Sequence, residues 1–340
     1  MKYIFELNHP KHYYQFKHVM SILQERGHSV KVLARDKDVL LKVLQEEGVP
    51  YSIFGVHKDS ILGKVSSSLS IFKQYKKIAR VYSPDIIVSK ASLYGTLVAK
   101  VLKCKSYIFP DSEVVALTNR VVAPLATCVI TPEPFSIDFG KKHLRIKGLF
   151  EDCYLSPSVL PINYHYPEEN SLKCPYAILR FVGWAANHDI NKNGFSLEEK
   201  IELANSISKF MTVYISSEKE LPAELAPYKL TTPAAKIHNV LANADLYVGD
   251  SQTMATEAAL LGTPAIRSNS FVGDHDMSNF KMLENKYGLL LNIRDFNTVL
   301  NTAIEYAKVS RKDEWRRKRE SYYISVGDMN QCIADFLVNC

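Results

Sequence analysis

One stretch of this 340-residue chain is dense in chemistry: Gly249-Asp-Ser-Gln-Thr-Met-Ala-Thr-Glu-Ala-Ala-Leu-Leu-Gly262. It follows an apolar run, opens with a polar turn and closes on a glycine, which reads as strand, turn and helix. Ser251, Gln252 and Thr253 fall at the first helical turn, where unpaired N–H groups and the positive end of the helix dipole hold phosphate oxygens. A diphosphate can be neutralised there without a metal ion. Glu257 stands further along the same helix, and a carboxylate accepts both hydroxyls of a ribose. A helix cap at Asp250 or Ser251 would explain the polar turn alone. It would not explain a glutamate among the small apolar residues Ala255, Ala258 and Ala259.

Other reactive side chains cluster in the turns that follow strands. The loop Asn8-His9-Pro10-Lys11-His12 has no glycine fingerprint, so a dinucleotide pyrophosphate is not expected there. His12 offers a group with an ordinary pKa near neutrality, suited to taking the proton of an acceptor hydroxyl, or else it hydrogen-bonds at the start of the next helix. Asn8 and Lys11 belong to the same loop and are acceptor-side contacts. Asp111 and Glu113 follow the run Tyr107-Ile-Phe-Pro110; they orient an acceptor, serve as an alternative base, or cap a helix beginning near Val114. Arg180 ends a strand, where a guanidinium clamps donor phosphates. Trp184, His188 and Asp189 continue its loop, the indole suited to a sugar or base face or else to the core. The segment from Thr231 to Lys236 is where backbone contacts to a uracil-like base are expected. Asp274-His-Asp276 has the DxD spacing of a divalent-metal site, but Asp36-Lys-Asp38 repeats it where a helix is expected to begin, so the spacing does not specify a metal. The expected site has catalytic residues His12, Asp111 and Glu113, a donor set of Arg180, Trp184, Ser251, Gln252, Thr253 and Glu257, and no metal or cofactor, the nucleotide sugar being substrate.

These turns need a scaffold that brings strand ends together. Short β-rich runs alternate with helical patterns from Tyr3 to Phe54, and strands continue at Asp85–Ser89, Lys105–Phe109 and Thr127–Thr131, a βα rhythm that predicts a doubly wound parallel sheet. Periodicity lapses between Ser156 and Pro175, where four prolines fall. A second α/β series follows, with strands at Tyr176–Val182, Phe210–Ile215, Asp245–Val248, Pro264–Ile266 and Gly288–Leu291. The expected organisation is an N-terminal acceptor domain (1–155), a linker (156–175), a C-terminal donor domain (176–325), and a C-terminal helix (326–340) packing back on the N-terminal domain, the two domains leaving a cleft between sheet ends.

Composition is that of a globular chain, 46% hydrophobic and 23% charged. The six cysteines form no metal-ligand spacing, and the chain opens directly on a strand, as expected of reduced thiols in a cytoplasm. No run approaches the roughly 18 apolar residues of a membrane-spanning helix. The net charge of +6 is uneven, with ten Lys or Arg against two acids from Lys58 to Lys105. That run is a solvated face or attracts anionic headgroups or an anionic acceptor; no nucleic-acid-binding motif accompanies it.

The run Asp250-Ser-Gln-Thr-Met-Ala-Thr-Glu-Ala258 resembles the donor motif of the non-hydrolysing UDP-N-acetylglucosamine 2-epimerases and GT-B glycosyltransferases, in which a Ser-Gly-Gly turn holds the diphosphate and a Glu the ribose. Ser251 and Glu257 match; Gln252 and Thr253 replace the glycine pair. The place of His12 resembles that of a histidine ending a glycine-rich loop in the muropeptide N-acetylglucosaminyltransferase. Asn8–His12, Thr118-Asn-Arg120 after Asp111 and Glu113, Gly148–Leu155, Arg180–Trp184 with His188-Asp189, and Gly249–Ile266 together resemble an uncharacterised bacterial and archaeal GT-B-like family. The resemblance implies a GT-B fold of two Rossmann-like domains and a cytoplasmic glycosyltransferase of surface-polysaccharide or glycoconjugate synthesis, peripheral at the inner membrane face. Its donor would be a UDP-sugar and its acceptor a glycan or lipid-linked molecule. An epimerase and a non-catalytic nucleotide-sugar-binding protein are the other readings.

Overall fold

A computed structural model describes residues 1–36, 39–56, 61–115, 117–182, 194–217, 220–274 and 276–339, the side chains at 56, 61–67 and 234 excepted. The chain divides into two compact units, Met1–Tyr154 with Asp328–Cys340, and Leu155–Gly327.

Unit 1 is built on seven parallel strands: β1 (Lys2–Leu7), β2 (Ser29–Asp36), β3 (Tyr51–Val56), β4 (Ile86–Ser89), β5 (Lys105–Ile108), β6 (Cys128–Pro132) and β7 (His143–Ile146). They lie in the order β3-β2-β1-β4-β5-β6-β7. Its helices are α1 (Pro10–Glu25), α2 (Leu40–Glu46), α3 (Ile61–Tyr82), α4 (Leu93–Leu102), α5 (Ala123–Leu125) and α6 (Asp152–Leu155), with a π-helical turn at Thr118–Val122. The two-residue period of a strand explains how one apolar run serves two layers. Tyr3, Phe5 and Leu7 join the core that includes Phe16, Met20, Leu40 and Leu44 from α1 and α2. Ile4, between them, packs with Leu33, Phe54 and Ile87 against Ile71, Tyr75, Val98 and Ala99 of α3 and α4. Two features differ from the sequence reading. Asp36 ends β2 and α2 begins at Leu40, so Asp36 starts no helix. The edge strand β7 was not foreseen, because His143-Leu-Arg-Ile146 is polar and only Ile146 is buried.

Unit 2 has five parallel strands, β8 (Tyr176–Phe181), β9 (Thr212–Ser217), β10 (Leu246–Gly249), β11 (Ala265–Arg267) and β12 (Leu290–Asn292), in the order β12-β11-β10-β8-β9. Its helices are α7 (Tyr166–Glu169), α8 (Leu197–Ile207), α9 (Ile237–Asn243), α10 (Gln252–Leu260), α11 (Ser278–Asn285), α12 (Phe296–Lys308) and α13 (Lys312–Val326). Gly262, with φ of 80°, supplies the left-handed residue that ends α10, and Arg319 of α13 donates to the freed Leu260 carbonyl at 3.1 Å.

The last helix, α14 (Met329–Asn339), returns to unit 1. Met329, Ile333, Ala334 and Leu337 are wholly or almost wholly buried in the core of β1 and α1. The Tyr3 hydroxyl donates to the Leu337 carbonyl at 2.8 Å, and Arg26 pairs with Asp335 at 2.7 Å. Unit 1 is therefore completed by a segment that begins 174 positions beyond Tyr154, where its main body ends. Ile333→Ala should lower the stability of unit 1 by about 2–5 kcal/mol through transfer and cavity terms. Denaturant titration should show one shifted transition, and an unshifted curve would mean that α14 is dispensable to that core.

Candidate functional site

In unit 2 the sheet register brings three βα turns together. Arg180, Gly249 and Arg267, at the ends of β8, β10 and β11, are adjacent ladder positions. Gly249 admits no side chain, because a Cβ there would stand 2.5 Å from the Arg180 carbonyl oxygen and 2.6 Å from the Tyr247 hydroxyl. Asp250, with no exposed surface, locks the turns together. Its Oδ1 accepts the Val182 N–H at 2.8 Å and its carbonyl accepts from Asn269 Nδ2 at 3.0 Å.

The residues from Ser251 to Glu257 divide between the cap of α10 and its first turns. Ser251 is the N-cap of α10, its Oγ accepting the Met254 N–H at 3.3 Å. Gln252 and Thr253 form the first turn that follows. Glu257 is only 9% exposed on that helix, and His238 of α9 brings Nε2 to 3.6 Å from its Oε1. This histidine had no signal in the sequence, since it lies inside a helix and meets Glu257 only through packing. Arg180 donates to Ser216 Oγ of β9 at 3.2 Å. Trp184, His188 and Asp189 lie outside the described residues.

Of the two aspartates in the DxD spacing, Asp276 is held in a buried ion pair. Arg267 is wholly buried and donates twice to Asp276, at 2.7 and 2.9 Å. Its guanidinium also lies 3.6 Å from the Phe280 ring centroid. Asp276 is thereby occupied by a fork-to-fork ion pair. Among the described residues no three His, Cys, Asp or Glu side chains gather to hold a metal.

In unit 1 the ends of β1, β4 and β5 carry a second constellation. Lys90 follows β4 directly and places Nζ 2.9 Å from Asp111 Oδ2. Lys11, at the start of α1, lies 2.9 Å from Glu151 Oε1 and 3.9 Å from Asp111. Two ammoniums and two carboxylates alternate here. Desolvation alone would raise the Asp111 carboxyl, but Lys90 and Lys11 hold it well below the usual carboxylate range. Burial in turn pulls the Lys90 ammonium down, with Asp111 opposing. Asn8 is oriented by its side-chain hydrogen bond to the buried Glu6 at 3.0 Å. Lys90 was legible as the first residue beyond a predicted strand. Glu151 was not, because it follows β7.

Two expectations for this loop cluster need correction. The His12 ring is pushed down to about pKa 3, by burial first and then by the Lys90 charge. Its Nδ1 accepts the Asn8 backbone N–H at 3.2 Å, which leaves the neutral ring's proton on Nε2. His12 is thus a hydrogen-bond donor in the resting state and lacks the near-neutral pKa expected of the base. Glu113 points elsewhere: its Oε1 accepts the Ser136 N–H at 2.5 Å. Glu113 and Val114 form a turn, and a helical segment follows it, the Asn119 N–H donating to the Val115 carbonyl at 3.1 Å.

Two outcomes follow from these contacts. His12 should keep its Nε2–H tautomer from about pH 8 to about 5, read by nitrogen-15 shifts; a midpoint near 6.5 would contradict its burial. Because the folded-state pKa is depressed, its contribution to stability is intact above the unfolded value of about 6.5 and lost as pH falls toward the folded one. For the buried pair, Asp276→Ala should cost roughly 3–5 kcal/mol by stranding the Arg267 charge. The double change Arg267→Met with Asp276→Leu should cost clearly less in the same chemical denaturation experiment.

Residues 196–339 match the family model described as Protein of unknown function (DUF354). No curated protein matches the chain. Among solved structures it is similar to UDP-GlcNAc 2-epimerase from Neisseria meningitidis bound to UDP-GlcNAc, at 12% identity over 100% of both chains with a TM-score of 0.70. The corresponding epimerase from Methanocaldococcus jannaschii matches at 15% identity over 92% of this chain and 94% of its own, with a TM-score of 0.66. Acinetobacter baumannii MurG matches at 16% identity over 100% of both chains, with a TM-score of 0.63. The chain has the GT-B fold shared by these glycosyltransferases and epimerases, and its C-terminal part carries the DUF354 match.

Proposed function

We propose that the protein is a glycosyltransferase that takes a sugar from a UDP-sugar donor and passes it to a glycan or lipid-linked acceptor. The observation that carries this reading is Glu257, a nearly buried carboxylate placed along the helix whose capped N-terminus follows β10. A carboxylate so withdrawn from water has a use as a ribose acceptor, and the first turn of α10 has open N–H groups for the diphosphate. Arg180 adds a cation at the neighbouring strand end. His238 of α9 adds a polar neighbour, its Nε2 3.6 Å from the Glu257 carboxylate.

Unit 1 supplies the proton chemistry. In transfer, the acceptor oxygen bonds to the sugar's anomeric carbon as the bond to the diphosphate breaks, and the hydroxyl proton needs an acceptor. With His12 holding its proton at Nε2 and Asp111 held by Lys90 and Lys11 below the usual carboxylate range, that task passes to Glu151, with the Lys11 ammonium 2.9 Å from its Oε1. The same cluster favours a second reading, sugar epimerisation, since two carboxylates and two ammoniums at one sheet end offer the acid and base that proton exchange at C2 requires.

UDP and UDP-sugars should raise the melting temperature more than GDP- or CMP-sugars. Glu257→Gln should weaken UDP binding at least about tenfold, the scale of hydrogen bonds to a charged group. UDP release that requires an added acceptor supports transfer; a UDP-sugar inverted at C2 with no acceptor present replaces it with the epimerase. If no nucleotide sugar binds the wild type, both readings fail.

A further inference from the structure

From Ile61 to Pro110 the chain has nine Lys or Arg and a single acid, Asp85. Asp85 is engaged, its Oδ2 accepting the Lys2 N–H at 2.7 Å. Lys90 aside, which belongs to the Asp111 cluster, the helices of this run form one layer, because α3 and α4 cover the same sheet face through Ile71, Tyr75, Val98 and Ala99. Lys73, Lys77 and Arg80 of α3, with Lys100 and Lys103 at the end of α4, are left outward and exposed. Exposed apolar side chains lie among them: Leu69 is 62%, Val81 83% and Val101 50% accessible. The layer on the opposite sheet face is of mixed sign, with Lys11, Lys17 and Lys42 beside Glu25, Glu46 and Asp335 on α1, α2 and α14.

The C-terminal end of α3 also borders an open cavity of about 550 Å³, lined by Lys2, Lys31, Lys77, Ile78, Val81 and Tyr82 among others. Lys2 and Lys31 hold their ammoniums 5.8 and 5.7 Å from the Tyr82 ring centroid. Three cations around an aromatic wall, opening beside an 83% exposed valine, match a phosphate joined to an apolar chain.

We propose that the α3–α4 layer docks on an anionic phospholipid surface, with a headgroup phosphate seated among Lys2, Lys31 and Lys77 and with Leu69 and Val81 entering the interfacial zone. Each part has a physical cause. Clustered Lys and Arg are drawn to the negative potential of an anionic leaflet, and a basic helix with exposed aliphatic side chains gains by burying them at the acyl boundary. Nucleic acid would satisfy the charges but give Leu69 and Val81 no apolar partner. No described helix is long and apolar enough to cross a membrane, so this surface is one that lies on lipid. The inference stands apart from the donor reading, and Glu257→Gln should bind vesicles as the wild type does.

Flotation of the full chain tests it. At low salt the protein should float with phosphatidylcholine vesicles containing phosphatidylglycerol and stay behind with phosphatidylcholine alone, and salt should release it. Lys73→Glu with Lys77→Glu should weaken binding at least about tenfold, given the contribution of each basic residue at such a surface. Should circular dichroism show that pair unfolded, Lys100→Glu with Lys103→Glu makes the same test from α4. Equal binding to neutral vesicles, absence of binding at low salt, or wild-type binding by the folded variants would each overturn the proposal. So would tight binding of an oligonucleotide that anionic vesicles fail to displace. Stabilisation by inorganic phosphate without vesicle binding would make the cavity a free-phosphate site and likewise overturn it.

Discussion

The buried carboxylate of Asp250 organises the functional end of unit 2. An ionisable side chain with no solvent contact is tolerated only where hydrogen bonds replace water, and here one comes from the Val182 amide. The backbone carbonyl of the same residue accepts from Asn269. The turns after β8, β10 and β11 are thereby tied at one residue, immediately before the capped start of α10. Gly249 makes the tie possible, since any side chain would strike the Arg180 carbonyl. The position of Glu257, and through it the meeting with His238, follows from where this turn launches the helix.

Charge is handled differently at the two sheet ends. Around Arg267 the fork-to-fork pair with Asp276 is complete and wholly buried, and it holds the loop after β11 in place. Around Lys90 a single 2.9 Å contact replaces the fork, and Asp111 remains partly open to solvent. A half-open array of paired ammoniums and carboxylates can exchange one partner for a substrate group, whereas a sealed pair cannot do so without stranding a charge. That difference sets Asp111 apart from Asp276, although the two are the same side chain.

Much of the architecture was legible because parallel strands covered on both faces read as unbroken apolar runs, and the glycines after α1, α2 and α10 punctuate them. The strand lost to sequence reading, β7, fails that pattern as an edge with a single buried residue. Its loss hid Glu151, which the rule of looking just beyond strand ends would otherwise have found. Lys90 was within reach of that rule. His238 was not, being one polar residue in a short helix.

What the sequence determined by itself is local: the βα rhythm, the cap at Ser251, the anomalous glutamate at 257 in a small apolar helix, and the cationic run. These depend on residue period, backbone geometry and composition, which neighbours along the chain specify. Tertiary structure decided which charges meet. It paired Asp276 with Arg267, turned Glu113 toward Ser136, gave Lys90 and Lys11 to Asp111, and lowered His12 out of the range of a neutral-pH base. Protonation and pairing depend on burial and on distances of a few ångströms between residues far apart in the chain. Strand register and helix packing set those distances.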